Sequence, residues 1–155
     1  MRKRIWGPLL LIILSLGALA QERFTHAGSG LSMQLPAGWI YAEVDDHFEV
    51  TPPDESLLLM FFVAETNVAA EGIEAIGNEL DKLMTESRIT TDVTEEIING
   101  LTHIYGEGDG LMDGTRVDWD FTMVIGGRKS MVVIGLGELE RNQAVLDSIY
   151  LSIMK

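Results

Sequence analysis

The sequence predicts an α+β fold. A mainly antiparallel sheet of about six to seven strands is covered by helices on both faces, an α/β/α sandwich. Three observations carry this prediction. Asn99-Gly100 and Gly126-Gly127 each divide two strand-like stretches, the pattern of consecutive hairpins, and Asp113-Gly114 marks a further turn. Leu57–Val63 and Ser130–Leu136 are apolar without alternation, as central strands covered on both faces must be. Two longer stretches, one after Asn67 and one from about Glu138 to Met154, carry apolar residues at helical spacing.

The elements follow in chain order. Phe24 to His26 is a weak strand, and Ala27-Gly-Ser-Gly30 a flexible turn. Leu31, Met33 and Leu35 alternate with Ser32 and Gln34, which gives a strand with one buried face. Pro36-Ala-Gly38 stops it, since proline removes a ladder donor and glycine allows a sharp turn. Trp39 then anchors a hairpin-like corner and opens a second strand to Glu43. Asp45-Asp46 reads as a turn and Phe48 to Thr51 as a short strand; Pro52-Pro-Asp-Glu55 breaks the chain before the apolar run at 57.

Asn67 is placed to cap the next helix, whose buried stripe is Ile73, Ile76, Leu80, Leu83 and Met84. Glu71 and Glu74 early and Lys82 and Arg88 late suit its dipole, and Gly77 is the expected point of close approach to the sheet. Thr90 to Ile98 is rich in Thr, Val and Ile, and reads as a strand returning through Asn99-Gly100 into Leu101 to Gly106. Glu107-Gly-Asp-Gly110 reads as a loop. From Thr115 to Ile125, Val117, Trp119, Phe121, Met123 and Ile125 share one face, and Arg116, Asp118, Asp120 and Thr122 the other. The last helix presents Val145, Leu146, Ile149 and Ile153.

Composition bounds compartment and partners. Met1-Arg-Lys-Arg4 is a basic head, Ile5 to Ala20 is mostly apolar, and Ala18-Leu-Ala20 is an A-x-A cleavage pattern. These are the parts of a secretory signal peptide in order, so residues 1–20 are expected to be cut off after Ala20 and 21–155 to form a single domain. The apolar run is short of the roughly 20 residues that span a bilayer, so no stable membrane insertion is expected after cleavage. The protein is then periplasmic or secreted. There is no cysteine, which removes thiol chemistry, cysteine metal sites and lipid modification after the apolar run. Losing Arg2, Lys3 and Arg4 leaves 8 basic residues against 24 acidic ones. No Lys or Arg occurs between Phe24 and Asp81. Such a surface repels phosphate backbones and anionic lipid, so nucleic acid is not expected as a partner, while a basic protein or loosely held cations would suit it.

Gly30-Leu-Ser-Met-Gln-Leu-Pro-Ala-Gly-Trp39 resembles the opening of PsbP-like domains, and Leu146-Asp-Ser-Ile149 and Leu151-Ser-Ile153 resemble a pattern in their last helix. The resemblance extends in element order over nearly all of residues 21–155. It implies an antiparallel sheet between helices. It also implies a binding or assembly module rather than an enzyme, as in the extrinsic oxygen-evolving protein of photosystem II, a nuclear import factor acting on the Ran GTPase, and many exported bacterial proteins. No binding-site residue carries over, because fold alone transfers no chemistry.

Several groups are candidates for chemistry. Asp109, Asp113, Asp118 and Asp120 are the densest acids, but their spacing lacks the pattern and closing Glu of a calcium loop. Asp45-Asp46-His47 has no partner at ligand spacing, and His26 and His103 are far away in sequence. Gly126-Gly-Arg-Lys-Ser130 is a hairpin turn, not a phosphate loop, since a strand follows it. The seven methionines after the leader are scattered over apolar faces and read as core filler. No nucleophile elbow is present. The expected function is therefore an exported, non-catalytic binding or assembly module without cofactor or metal. A small-molecule or metal-ion carrier is the alternative. The expected binding residues are Arg116, Asp118 and Asp120, with Trp39 beside a pocket. A pocket converging a histidine with perturbed carboxylates would point instead to an enzyme.

Overall fold

In the computed structural model, which describes residues 21–155, the chain runs β1 (Gln21–His26), β2 (Leu31–Pro36), β3 (Ile40–Val44), β4 (His47–Thr51), β5 (Leu57–Ala64), α1 (Ala69–Leu83), β6 (Thr85–Ile89), β7 (Thr94–Ile98), β8 (Leu101–Met112), β9 (Thr115–Ile125), β10 (Ser130–Gly137) and α2 (Leu139–Leu151). The expected leader, residues 1–20, lies outside the described residues. Strands β3-β4-β5-β10-β9-β8 lie side by side, and both β6 and β7 pair with the outer edge of β8, all antiparallel.

The two non-alternating runs are the centre of this sheet. They pair in register from Leu57 opposite Gly137 to Ala64 opposite Ser130. Successive side chains point to opposite faces, so each run feeds two cores. Leu57, Leu59, Phe61, Met131 and Val133 join Leu146 and Ile149 of α2 on one face. Met60, Phe62, Val132 and Ile134 join Ile76 and Leu80 of α1 on the other.

The layers differ from a full sandwich. The main sheet has eight strands, and β1 and β2 form a separate two-stranded sheet. That hairpin covers the α2 face through Leu31, Met33 and Leu35, which are fully buried, so one helix serves each face and the helices cover less than expected. The Pro36–Trp39 corner is accordingly a crossing between sheets. β2 pairs with β1, Gly38 turns at φ 83°, and Trp39 drops into the core between the layers.

Five local expectations differ from the structure. Glu107–Gly110 is the middle of β8, not a loop. Gly106, Gly108 and Gly110 recur at the strand period, and their bare side receives bulky neighbours. A Cβ on Gly108 would lie 2.2 Å from Trp119 Cζ2 and 2.3 Å from the Arg88 carbonyl oxygen; one on Gly110 would lie 2.3 Å from Met84 Sδ. The stretch from Thr90 holds a strand only from Thr94, and the helix before it stops at Leu83, so Arg88 sits on β6 and not at a helix end. Asn67 does not cap α1. Its Oδ1 accepts from Ser130 Oγ at 2.7 Å, while Thr66 Oγ1 accepts from the Val68 amide at 3.0 Å. The close approach of α1 is at Gly72, where a Cβ would meet Met123 Sδ at 2.1 Å; Gly77 has open space around it.

α2 is fastened at both ends. The Glu138 amide donates to the Ser56 carbonyl at 2.8 Å, and Asn142 Nδ2 donates to Ser56 Oγ at 3.2 Å. At the other end Asn99, left-handed at φ 53° in the β7–β8 turn, donates from Nδ2 to the Leu151 and Ile153 carbonyls at 2.8 and 2.9 Å. Ser32 and Met154 then exchange two backbone hydrogen bonds.

Candidate functional site

The register of β8 on β9 sets Tyr105 opposite Thr122 and Glu107 opposite Asp120. By strand alternation His103, Tyr105, Glu107, Asp118, Asp120 and Thr122 all point to the α2 side. α2 crosses that side with Gln143, Asp147 and Tyr150, and β7 adds Glu96 and Ile98 at the margin. Between them lies a cavity of about 330 Å³. An adjoining cavity of about 380 Å³ shares Glu107 and Gln143 and continues past Asp118 to Leu139 and Glu140. Together they form a groove beneath α2.

Asp120 is the central group. Its carboxylate accepts from the Tyr150 hydroxyl at 3.1 Å, and lies over Gly135, where a Cβ would sit 2.1 Å from Oδ1. Glycine in β10 therefore makes the room that the carboxylate occupies. Burial pushes the Asp120 carboxyl up to about 6, against the opposing pull of the Tyr150 hydroxyl and the Gly135 amide. Burial, and then the Asp120 charge, raise Tyr150 well above the usual phenol range, so it remains a donor at neutral pH. His103 is 1% exposed and lines the same cavity, and its Nε2 has no hydrogen-bond partner. Burial lowers its pKa, against a smaller opposing pull from Glu96, and keeps the ring neutral. At the rim, the Tyr105 hydroxyl donates to Glu96 at 3.3 Å and Gln143 Nε2 to Asp147 at 2.8 Å.

The residues expected from sequence part company here. Asp118 and Asp120 line the groove. Arg116 shares their face but turns to Asp109, donating from Nη1 at 2.6 Å, and approaches Glu86 at 3.9 Å. Arg88 reaches the same Asp109 at 2.9 and 3.2 Å, and the two guanidiniums hold that carboxyl below the usual range, Arg88 first. Asp113 is a turn residue at φ 50°. Trp39 is 9% exposed in the hydrophobic core and lines neither cavity of the groove.

The three histidines lie on different strands. His26 Nδ1 is 2.8 Å from Ser29 Oγ, and burial lowers its pKa. His47 stacks on Phe62 at 4.8 Å; burial lowers its pKa, but hydrogen bonds to Glu49 and Asp46 outweigh this and raise it. Among the described residues no three His, Asp or Glu side chains come together in a way that would hold a metal ion.

The sequence does not single out Tyr150, and it offers His103 only as a distant partner for a metal site. Leu139, Gln143, Leu146 and Tyr150 recur at helical spacing on one stripe, which was the available signal for Tyr150. Chemically the groove brings together many acceptors and two phenol donors. The Nε2 of His103 is hydrogen-bonded to no carboxylate or hydroxyl.

No protein-family model matches the chain, and no curated protein does. Solved structures do. PsbP (CyanoP) from Synechocystis sp. PCC 6803 superposes with a TM-score of 0.65 at 12% identity, covering 90% of this chain and 94% of that one. A Bacteroides thetaiotaomicron protein gives 0.56 at 17% identity, covering 84% of this chain and 47% of that one. PA94 from Pseudomonas aeruginosa, a protein of unknown function, gives 0.52 at 8% identity, covering 85% and 94%. Identities this low speak to fold alone. The fold is PsbP-like, as the Gly30–Trp39 stretch leads one to expect.

Proposed function

We propose that this chain is an exported, non-catalytic binding module whose ligand lies in the groove between α2 and strands β7 to β9. One observation carries the reading. A carboxylate raised by burial and a buried imidazole with an unpartnered Nε2 line one cavity of about 330 Å³. That volume is in the range of small-molecule sites, and such polar groups are costly to bury without a role. The uncoupled His103 favours binding over acid–base catalysis, although a histidine and a perturbed carboxylate do share this cavity. Export is supported by the basic head, apolar run and A-x-A pattern of residues 1–20. No helix among the described residues is long and apolar enough to cross a membrane.

Two-dimensional NMR spectra of the protein with small amines, carboxylates and neutral alcohols test the reading. Resonances of Tyr105, Thr122, Gln143 and Tyr150 should move and saturate with one of the classes while those of α1 stay fixed. If no class moves them, the groove is not a binding site. Turnover of a bound probe would replace the binding module by an enzyme.

A further inference from the structure

The ligand class can be read from the groove, on the premise that the groove is a binding site. Its lining is rich in acceptors. Glu96, Glu107, Asp118, Asp120, Glu140 and Asp147 contribute carboxylates, and no Lys or Arg lines either cavity. An acidic wall alone is ordinary in a chain this acidic. The buried His103 ring lines the same cavity and its Nε2 has no partner, which is the independent sign of an unmet polar group at the site.

The carboxylates are spread out. Glu140 and Asp147 are seven positions apart on α2, about 10 Å along its axis. Asp118 and Asp120 lie roughly 7 Å apart along β9. A point charge meets one or two of these at a time, whereas an extended cation meets most of them together. Between the charges the lining is carbon-rich: Ile98 and Leu151 at one end, Leu139 at the other, with the rings of Tyr105 and Tyr150 between them. Methylene segments and aromatic faces suit one another, and aromatic faces also attract ammonium groups. We propose that the groove binds a linear aliphatic polyamine in its protonated form, ammonium groups on the carboxylates and methylenes along the tyrosines.

Spermidine is the probe, titrated calorimetrically and by NMR into the purified protein in about 150 mM salt, where surface attraction is damped beyond roughly 8 Å. We expect one spermidine per chain and movement of the His103, Gln143 and Tyr150 resonances. The exposed double variant Glu140→Gln/Asp147→Asn should weaken binding about fivefold or more. Glu74→Gln/Asp81→Asn, on the opposite face, should leave it unchanged. Equal weakening by both double variants would reduce the effect to diffuse attraction and overturn the proposal. If 1,8-octanediol, Ca²⁺ or a lysine-rich peptide moves the groove resonances and spermidine does not, the polyamine assignment falls while the groove stands as a site. If nothing moves them, both fall.

Discussion

Replacing Asp120 by Asn should make the protein more stable at neutral pH, although a hydrogen-bonded side chain is being changed. Asn has the same shape and can still accept from Tyr150, but it carries no charge to bury. The size follows from the raised carboxyl. In the folded protein Asp120 keeps its proton up to about 6, against 3.8 for the ordinary group. Between those values folding takes up a proton, so stability falls as pH rises through the window and stays low above it. At about 1.4 kcal/mol per pH unit the loss is about 3 kcal/mol. The gap in unfolding free energy between Asp120→Asn and the wild type should therefore move by about 3 kcal/mol in the variant's favour from about pH 3.5 to about pH 7.5. Urea denaturation at a series of pH values measures it, and the carbon-13 shift of the Asp120 carboxyl gives the midpoint directly. A midpoint near the ordinary value, or a gap that does not change with pH, would refute the account of Asp120 as a desolvated carboxylate.

Three further outcomes are expected. Gly108→Ala should destabilise by about 3 kcal/mol, the upper end for overpacking, because Trp119 and the Arg88 carbonyl already fill the Cβ position; in a thermal melt this is a fall in Tm of roughly 10 °C. Gly77→Ala has open space around it and should stabilise α1 by roughly 0.5–1 kcal/mol in the same melt. His47, whose pKa is raised on balance by Glu49 and Asp46, stabilises the fold below its ordinary 6.5, and that contribution is lost as pH rises through the raised value. The stability gap between wild type and His47→Asn should narrow over that rise, and a gap that widens would contradict the assigned partners.

What the sequence disclosed follows from how local each signal is. Leu57–Val63 and Met131–Leu136 announce central strands because unbroken apolar runs between turn signals need cover on both faces. β9 keeps its expected bounds, Thr115 to Ile125, because its alternation is unbroken. β8 was cut short because Gly-x-Gly-x-Gly reads as loop until one knows that Trp119 and Phe121 stand opposite Gly108 and Gly106. β6 is short and polar, and what holds it is distant, Arg88 on Asp109. The split between the two sheets turns on whether β2 pairs backward to β1 or forward to β3, which alternation alone does not decide. Asp118 and Asp120 could be placed on one face by counting. Most of the rest of the groove comes from β8 and α2, with Glu96 and Ile98 of β7 at the margin, and only the register of β8 and the crossing of α2 bring His103 and Tyr150 beside them.

The fastening of α2 bears on how anything would enter beneath it. Ser56 clasps the helix where it begins and Asn99 where it finishes, so lifting α2 off the hollow would break bonds at both ends. A guest, were it to bind there, would meet walls tied in place at these two ends and would give up its own hydration to enter.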